Sequence, residues 1–311
     1  MKIYSILNDF AFQWIFNQPG REPILRSLLN AILHLQGTDR IVEIQYLNPF
    51  NPARFEDRKK SIVDIKVKDE LDRWYEVEAQ VIRDPSFIER TAYYVATLYS
   101  SQAKRGEDFS QLTSATGISI LNFRLFPQSQ KVQEIFRFRN DDGNIILKDT
   151  MTLHYLDLTR FNRKHPDELR TPLEKWLHMM KFSRAYAKMK VDLNKIFPED
   201  EEIAMAITEH QKINADEELR RRMEDREREA FDIAVIRGAA FRQGKLEGKA
   251  EGKAEGKAEG KAEGKAEGKA EVKFEIAGNL YRLDRPLEEI CAATGLGLDE
   301  LKKYLANVSK T

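Results

Sequence analysis

The sequence has a single cysteine, no net charge and no long apolar run. Cys291 stands alone among 311 residues, which excludes an internal disulfide and a cysteine-rich zinc site and is typical of a reducing compartment. Lysine plus arginine equals aspartate plus glutamate at 51 each, so net charge neither supports nor excludes a nucleic-acid partner. No stretch approaches the roughly 20 apolar residues that cross a bilayer, and the N-terminus lacks the apolar segment of a signal peptide. We therefore expect a cytoplasmic protein without a membrane segment.

The first half of the chain mixes helical and strand periods. A helix is predicted in REPILRSLLNAILHL, ending near Gly37, and a second helix from Pro85 to about Lys104, with Asp84 as its N-cap. Strands are predicted in RIVEIQYLN, Ser61–Lys68, Trp74–Val81, TGISILNFRLF, VQEIFRFRN and MTLHYLDL. This order predicts one mixed α/β core over residues 1–161.

The second half becomes helical and highly charged. Residues 162–242 are predicted to form a charged helical extension, because opposite charges recur three and four residues apart. Residues 243–271 contain GKAE six times without change. Glycine at every fourth position costs about 1 kcal/mol per repeat in a helix, so this tract is either a flexible linker or a helix that packs in an assembly. Residues 272–311 predict a small helix-turn-helix-like segment, either a docking module or a DNA-binding one.

A predicted β-hairpin, residues 61–81, gathers acidic side chains on one face. Strand alternation turns the other face towards the core, with Val63, Ile65, Val67, Tyr75, Val77 and Ala79. A turn centred on Leu71 sets Lys66 opposite Glu76 and Asp64 opposite Glu78, and a register shifted by two residues sets Asp64 opposite Glu76 or Gln80 instead. Opposed carboxylates repel each other unless a cation lies between them, and a hard divalent cation such as Mg²⁺ fits oxygen ligands. The face is therefore either a metal site or an exposed surface with an ordinary Lys66–Glu76 ion pair.

The helix from Pro85 carries an arginine and a tyrosine four residues apart. Arg90 and Tyr94 lie on one helical face, where both could contact a phosphate group beside the hairpin. Arg90 could equally form an ion pair with Glu89 or Glu78. The five histidines are scattered without the spacing of metal ligands, so we interpret them as structural or surface residues.

A nuclease signature is carried by VDIKVKDELDRWYEVEAQ, which resembles the D-x(n)-E-x-Q form of the PD-(D/E)XK motif. The chain around it is similar to the Rpn family of recombination-promoting nucleases, also classed as transposases. The similarity runs in order through NDFAFQWIF, LRSLLNAIL, ERTAYYVATLYSSQ and GISILNF, and returns in the glycine-punctuated tail and in LEEICAATGLGLDELKKYL. It implies an α/β restriction-endonuclease-like αβββαβ core, with a mixed central sheet flanked by helices, and a helical C-terminal extension.

The resemblance also implies roles for residues of the hairpin. Asp64 and Glu78 hold Mg²⁺ or another divalent cation, and Gln80 occupies the place of the lysine that is usual in the superfamily. The catalytic set is then Asp64, Glu78 and Gln80. Because an amide can only hydrogen-bond where a lysine adds charge, we expect slow cleavage, and we expect Gln80→Lys to keep or increase it.

Other residues have a looser place in the family pattern. Arg90 and Tyr94 match its R-x-x-Y-Y segment, which agrees with their assignment to phosphate binding. Asp9 and Glu43 are candidates for a further metal ligand, although acidic residues are usually just exposed.

Two functions are compatible with these residues. The resemblance implies a Mg²⁺-dependent DNA endonuclease that hydrolyses phosphodiester bonds with little sequence preference, in recombination, mobile-element biology or defence. The alternative is a catalytically silent binding or regulatory protein with the same fold. Metal binding at the hairpin separates the two, because a silent relic does not need opposed carboxylates. The expected partner is DNA, and we expect a homo-oligomer formed through the C-terminal helical region.

Overall fold

The computed structural model of the chain describes residues 2–48, 65–103, 106, 108–189, 196–197 and 199–308. The chain divides into two compact units, Met1–Ile236 and Arg237–Thr311. In the part that the structure describes, no helix combines the length and apolar character of a membrane span.

The first unit consists of a six-stranded sheet and the helices packed on it. The strands are β1 (Ile44–Tyr46), β2 (Ile65–Asp69), β3 (Trp74–Gln80), β4 (Ala115–Leu121), β5 (Gln133–Arg137) and β6 (Met151–Asp157). The helices are α1 (Asp9–Phe16), α2 (Glu22–Ile32), α3 (Phe87–Ser100), α4 (Pro172–Lys181), α5 (Ser183–Tyr186), α6 (Glu201–Ala215) and the beginning of α7 (Glu217–Arg282).

The sheet is mixed, in the order β1-β2-β3-β4-β6-β5. β1, β2 and β3 form an antiparallel meander, whereas β3, β4 and β6 are parallel and β5 runs antiparallel to β6 at the edge. Helix α3 is the crossover that joins the parallel strands β3 and β4, as parallel pairing requires. The predicted mixed α/β core is confirmed.

The hairpin of β2 and β3 has the register predicted for a turn centred on Leu71. Lys66 lies opposite Glu76, and Ile65 lies opposite Val77. Asp64 and Val63, to which the prediction also applied, lie outside the described residues. The turn between the strands is closed by Asp69, whose carboxylate accepts hydrogen bonds from the backbone N–H groups of Leu71 and Arg73. The core-facing residues of both strands are buried.

One hydrophobic core lies on the face of the sheet that carries Val77 and Ile118. It contains residues of the N-terminal helices, and equally Trp176 of α4, Ile207 of α6 and Met223 of α7. The predicted boundary at residue 161 therefore does not coincide with the compact units. The charged residues of 162–236 lie on the outer faces of helices whose inner faces complete this core.

Helix α3 covers the opposite face of the sheet. Its side chains form two smaller hydrophobic clusters with the sheet, one around Phe87 and Tyr155 and one around Val95 and Leu98. Helix and sheet approach closely at Gly117 of β4, where an added Cβ would lie 2.9 Å from Leu153 Cδ2 and 3.7 Å from Val95 Cβ. A side chain there would enter space that Leu153 fills, so Leu153 would have to shift.

The second unit includes the GKAE tract and two short helices. The tract is helical throughout, within α7, so the helical alternative describes it and the flexible linker does not. Alanine, lysine and glutamate are good helix formers and offset part of the cost of glycine. A Cβ added at the tract's glycines, Gly248 to Gly268, would meet no heavy atom within 4 Å in the described part of the chain. Packing of this helix in an assembly stays a prediction.

The end of the chain forms a helix, a turn and a helix, as predicted. α8 (Leu287–Thr294) ends at Gly295, which has a φ of 67°, and α9 (Leu298–Val308) follows. Ala277 of α7 packs with Ile290, Leu301 and Leu305. Leu298, the first residue of α9, is 44% exposed.

Two buried histidines of the first unit predict how its stability depends on pH. Burial lowers the pKa of His154 and of His210 to about 4. His210 Nε2 lies 2.9 Å from the carbonyl oxygen of Tyr4, and His154 Nδ1 lies 3.0 Å from Gln133 Nε2. These contacts support the interpretation of both as structural residues.

The free energy of unfolding is expected to fall as the pH falls from about 6.5 to about 4. In this window the unfolded histidines take up protons and the folded ones do not, so each contributes a slope of about 1 kcal/mol per pH unit. The contribution is complete above pH 6.5 and lost below pH 4. Urea unfolding at several pH values should show a smaller slope for His210→Gln, which keeps a donor for Tyr4, than for wild type. His165→Gln, at an exposed position, is the control, and an unchanged slope in His210→Gln would contradict the assignment.

Candidate active site

The acidic face of β3 is covered by helix α3 and is not a solvent-exposed surface. Glu76 and Glu78 are 5% and 7% exposed. Their neighbours across the parallel pairing are Gly117 and Ser119 of β4. Lys66 Nζ lies 3.9 Å from Glu76 Oε1, so the predicted cross-strand ion pair is present, but it is partly buried. Charged carboxylates at this depth require compensating donors or cations.

Both carboxylate oxygens of Glu78 have partners. The Ser119 hydroxyl donates a hydrogen bond of 3.0 Å to Oε1, and Arg90 Nη2 lies 3.5 Å from Oε2. Ser119 is itself buried and lies directly opposite Glu78 in the sheet. The carboxylate is therefore held in one orientation by a strand on one side and a helix on the other.

Arg90 of α3 contacts Glu78 and Gln80 of β3 and Asp84 of the turn before α3. Its Nη2 donates to Gln80 Oε1 at 3.3 Å, and its Nη1 donates to Asp84 Oδ2 at 3.1 Å. Gln80 Nε2 donates in turn to the carbonyl oxygen of Ile82 at 2.9 Å. Of the alternatives for Arg90, the pairing with Glu78 is the one that the structure contains.

Helix α3 begins two residues later than predicted. Its first residue is Phe87 and its N-cap is Ser86, which makes no capping hydrogen bond with its side chain. Asp84 was predicted as the N-cap, but its Oδ1 accepts hydrogen bonds from the backbone N–H and the hydroxyl of Ser86 and its Oδ2 binds Arg90. Asp84 thus orders the turn before the helix and holds one amino group of the Arg90 guanidinium. Tyr94 is partly buried one turn after Arg90, and its ring centroid lies 6.0 Å from that of the exposed Tyr93.

The oxygen atoms at this site have the chemistry that a hard divalent cation prefers. Glu78 offers a carboxylate and Gln80 a carbonyl oxygen, which suit Mg²⁺ better than a soft metal. Among the described residues, no three histidine, cysteine or acidic side chains form a group that could hold a metal ion. Asp64, the other predicted ligand, lies outside those residues. Asp9, at the start of α1, and Glu43, exposed before β1, therefore form no such group with Glu78.

Ser119 and Asp84 are the site residues that the sequence reasoning missed. Ser119 belongs to the predicted strand TGISILNF, but the register of two parallel strands depends on the crossover between them and cannot be read from alternation. Asp84 was noticed for its position before Pro85, which suggests a cap. The arginine six residues later, Arg90, was the sequence signal that Asp84 could also form an ion pair with the helix.

One comparison with known proteins gave a match, and it covers nearly all of the first unit. A family model described as PD-(D/E)XK nuclease family transposase matches residues 6–239. A comparison with curated proteins gave no match, and neither did a comparison with solved structures. The matched residues span most of the chain and include the β2–β3 hairpin, helix α3 and the helices that complete the core. From this match, and from a sheet and helices of the kind that the motif predicts, the chain belongs to the PD-(D/E)XK nuclease family transposases.

Proposed function

We propose that the protein is a Mg²⁺-dependent DNA endonuclease that cleaves with little sequence preference. The observation that carries the proposal is the buried carboxylate of Glu78, on the second strand of the hairpin. The Ser119 hydroxyl of β4 holds this carboxylate, in a chain of this nuclease family. Neither a structural ion pair nor a solvated surface requires an acid to be oriented in this way. We further propose a cytoplasmic setting and a homo-oligomer formed through the C-terminal helices.

Asp64 and Glu78 are the proposed ligands of the metal ion. A bound divalent cation lowers the pKa of a coordinated water and offsets charge that builds up on a phosphoryl oxygen. Gln80, next on the same face of β3, completes the proposed catalytic set. Arg90 and Tyr94 of α3 are the proposed contacts to the phosphate backbone of DNA.

The proposed reaction is the hydrolysis of a phosphodiester bond. The oxygen of a water molecule forms a bond to phosphorus, and the bond from phosphorus to one ester oxygen breaks. One proton of the water is transferred, through solvent, to the leaving oxygen, which becomes an alcohol. The protein's own contribution is to orient the phosphate and to neutralise its charge.

Plasmid nicking tests this proposal. We expect the purified protein to convert supercoiled plasmid to open circles with Mg²⁺ and not with EDTA. Asp64→Ala should lower the rate by about 100-fold or more, because the metal supplies several kcal/mol of charge stabilisation. Asp141→Ala, which removes an exposed acid from the turn between β5 and β6, is the matched control. Nick positions spread over the plasmid would support low specificity.

The catalytically silent alternative has one observation in its favour. Arg90 already provides a positive charge within 3.5 Å of Glu78, as a structural ion pair would. Calorimetric titration with Mg²⁺ distinguishes the two functions. Binding that Asp64→Ala abolishes supports the nuclease, whereas a wild-type protein that neither binds Mg²⁺ nor nicks DNA is the silent form.

A further inference from the structure

Helix α3 brings a guanidinium group to the place beside Glu78 where the strand itself offers only an amide. Arg90 Nη2 lies 3.5 Å from Glu78 Oε2 and 3.3 Å from Gln80 Oε1. We infer that Arg90 supplies the positive charge at the reacting phosphate and that Gln80 is its positioning residue. This role of Arg90 rests on the proposed function, because the phosphate is the group that the site would cleave.

Gln80 is oriented so that its oxygen faces Arg90. Its Nε2 donates to the carbonyl oxygen of Ile82 at 2.9 Å, which leaves Oε1 as the acceptor on the side of the guanidinium. A lysine at this position would offer an ammonium and no acceptor. Gln80 therefore does what a lysine cannot do, because it fixes a cation that comes from another element.

Asp84 and Phe87 hold the guanidinium from its other sides. Asp84 Oδ2 accepts from Nη1 at 3.1 Å, and the Asp84 carboxylate is itself fixed by Ser86. The guanidinium carbon lies 5.0 Å from the centre of the Phe87 ring, in a cation–π contact. A planar group held at two nitrogen atoms and one face loses little further entropy on binding a phosphate.

Arg90 also remains open to an anion. Its side chain is 25% exposed, whereas the side chains of its partners Glu78 and Asp84 are 9% and 7% exposed. Lys66 and Lys68, which are also cations on this face, lie on β2, and Lys66 is beside Glu76. The charge of the guanidinium stabilises the additional negative charge of the transition state.

This arrangement changes the expectation for Gln80→Lys. A lysine there removes the acceptor of Arg90 Nη2 and adds a second cation beside it, so the single substitution should lower kcat instead of raising it. Replacing both residues, however, transfers the positive charge from helix α3 to strand β3. The double variant Gln80→Lys with Arg90→Gln has one cation, as wild type has, in the position usual for the superfamily.

The test measures kcat and KM for Mg²⁺-dependent nicking in wild type, Arg90→Gln, Gln80→Lys and the double variant. We expect Arg90→Gln to lower kcat by about 100-fold or more, which is the size of a lost transition-state contact, with a smaller rise in KM from the lost ground-state contact to the phosphate. Gln80→Lys should lower kcat less, and the double variant should recover at least tenfold over Arg90→Gln. Arg139→Gln, an exposed arginine beyond β5, removes the same charge as a control.

Binding of a short DNA duplex, followed by fluorescence anisotropy without Mg²⁺, is the second readout. Weaker binding in Arg90→Gln and its recovery in the double variant support the phosphate contact, even if wild type proves unable to nick and the proposed function fails. A folded double variant that is no better than Arg90→Gln in either assay would overturn the inference. So would an Arg90→Gln protein with wild-type kcat and wild-type duplex affinity.

Discussion

Glu78→Gln is expected to abolish Mg²⁺-dependent nicking, with a loss of about 1,000-fold or more. The substitution keeps the shape of the side chain and an oxygen that can accept the hydrogen bond from Ser119. It removes the negative charge that the proposed metal ion needs and that Arg90 now faces. The rate of plasmid nicking at saturating Mg²⁺ measures the effect, and thermal unfolding checks that the variant is folded.

Glu76→Gln is the matched control for this substitution. Glu76 lies on the same strand and the same face, is equally buried, and loses the same charge. It faces Lys66 instead of Arg90, so its replacement should change the nicking rate far less. Equal losses in the two variants would mean that the negative charge of the face matters and not the position of Glu78, and a fully active Glu78→Gln protein would remove Glu78 from the site.

Truncation after residue 161 is expected to leave a chain that does not fold, whereas truncation after residue 236 should leave a folded one. The shorter fragment loses core residues from four helices, including Trp176, Ile207 and Met223. Losing one large buried side chain costs about 3–5 kcal/mol, and whole domains are stable by only about 5–15 kcal/mol. Several such losses exceed the total.

Circular dichroism and urea unfolding of the two fragments measure this effect. The fragment 1–236 should unfold cooperatively, because it contains the whole first unit. A cooperative transition in 1–161 with native-like helix and strand content would show that the boundary predicted from composition is a true domain boundary. It would also show that the helices from Pro172 onwards are an addition to a core that is already stable.

The hairpin shows how far the sequence alone could go. Strict alternation across β2 and β3 identified the buried face, because a shift by one residue would turn every apolar side chain to the wrong side. The pairing of Lys66 with Glu76 followed from a turn centred on Leu71. The same alternation could not show that the acidic face is covered. That depends on α3, whose packing is set by contacts far apart in the chain.

The helices after residue 161 show why the division predicted from composition differs from the compact units. Their charged residues are numerous enough to hide a regular inner face. Helices α4 and α6 both pack on α2, and α6 also packs on α1, at the beginning of the chain. A prediction from local pattern recognises each helix but not the surface on which it packs.

Gly117 links the backbone of β4 to the chemistry on β3. Gly117 lies opposite Glu76 in the sheet and two residues before Ser119. Val95, from the helix that carries Arg90, packs near it. A side chain at position 117 would press on Leu153 and lie against Val95. The reach of the Arg90 guanidinium towards Glu78 thus depends on a residue that has no side chain, which makes this layer a steric control on the electrostatics of the acidic strand.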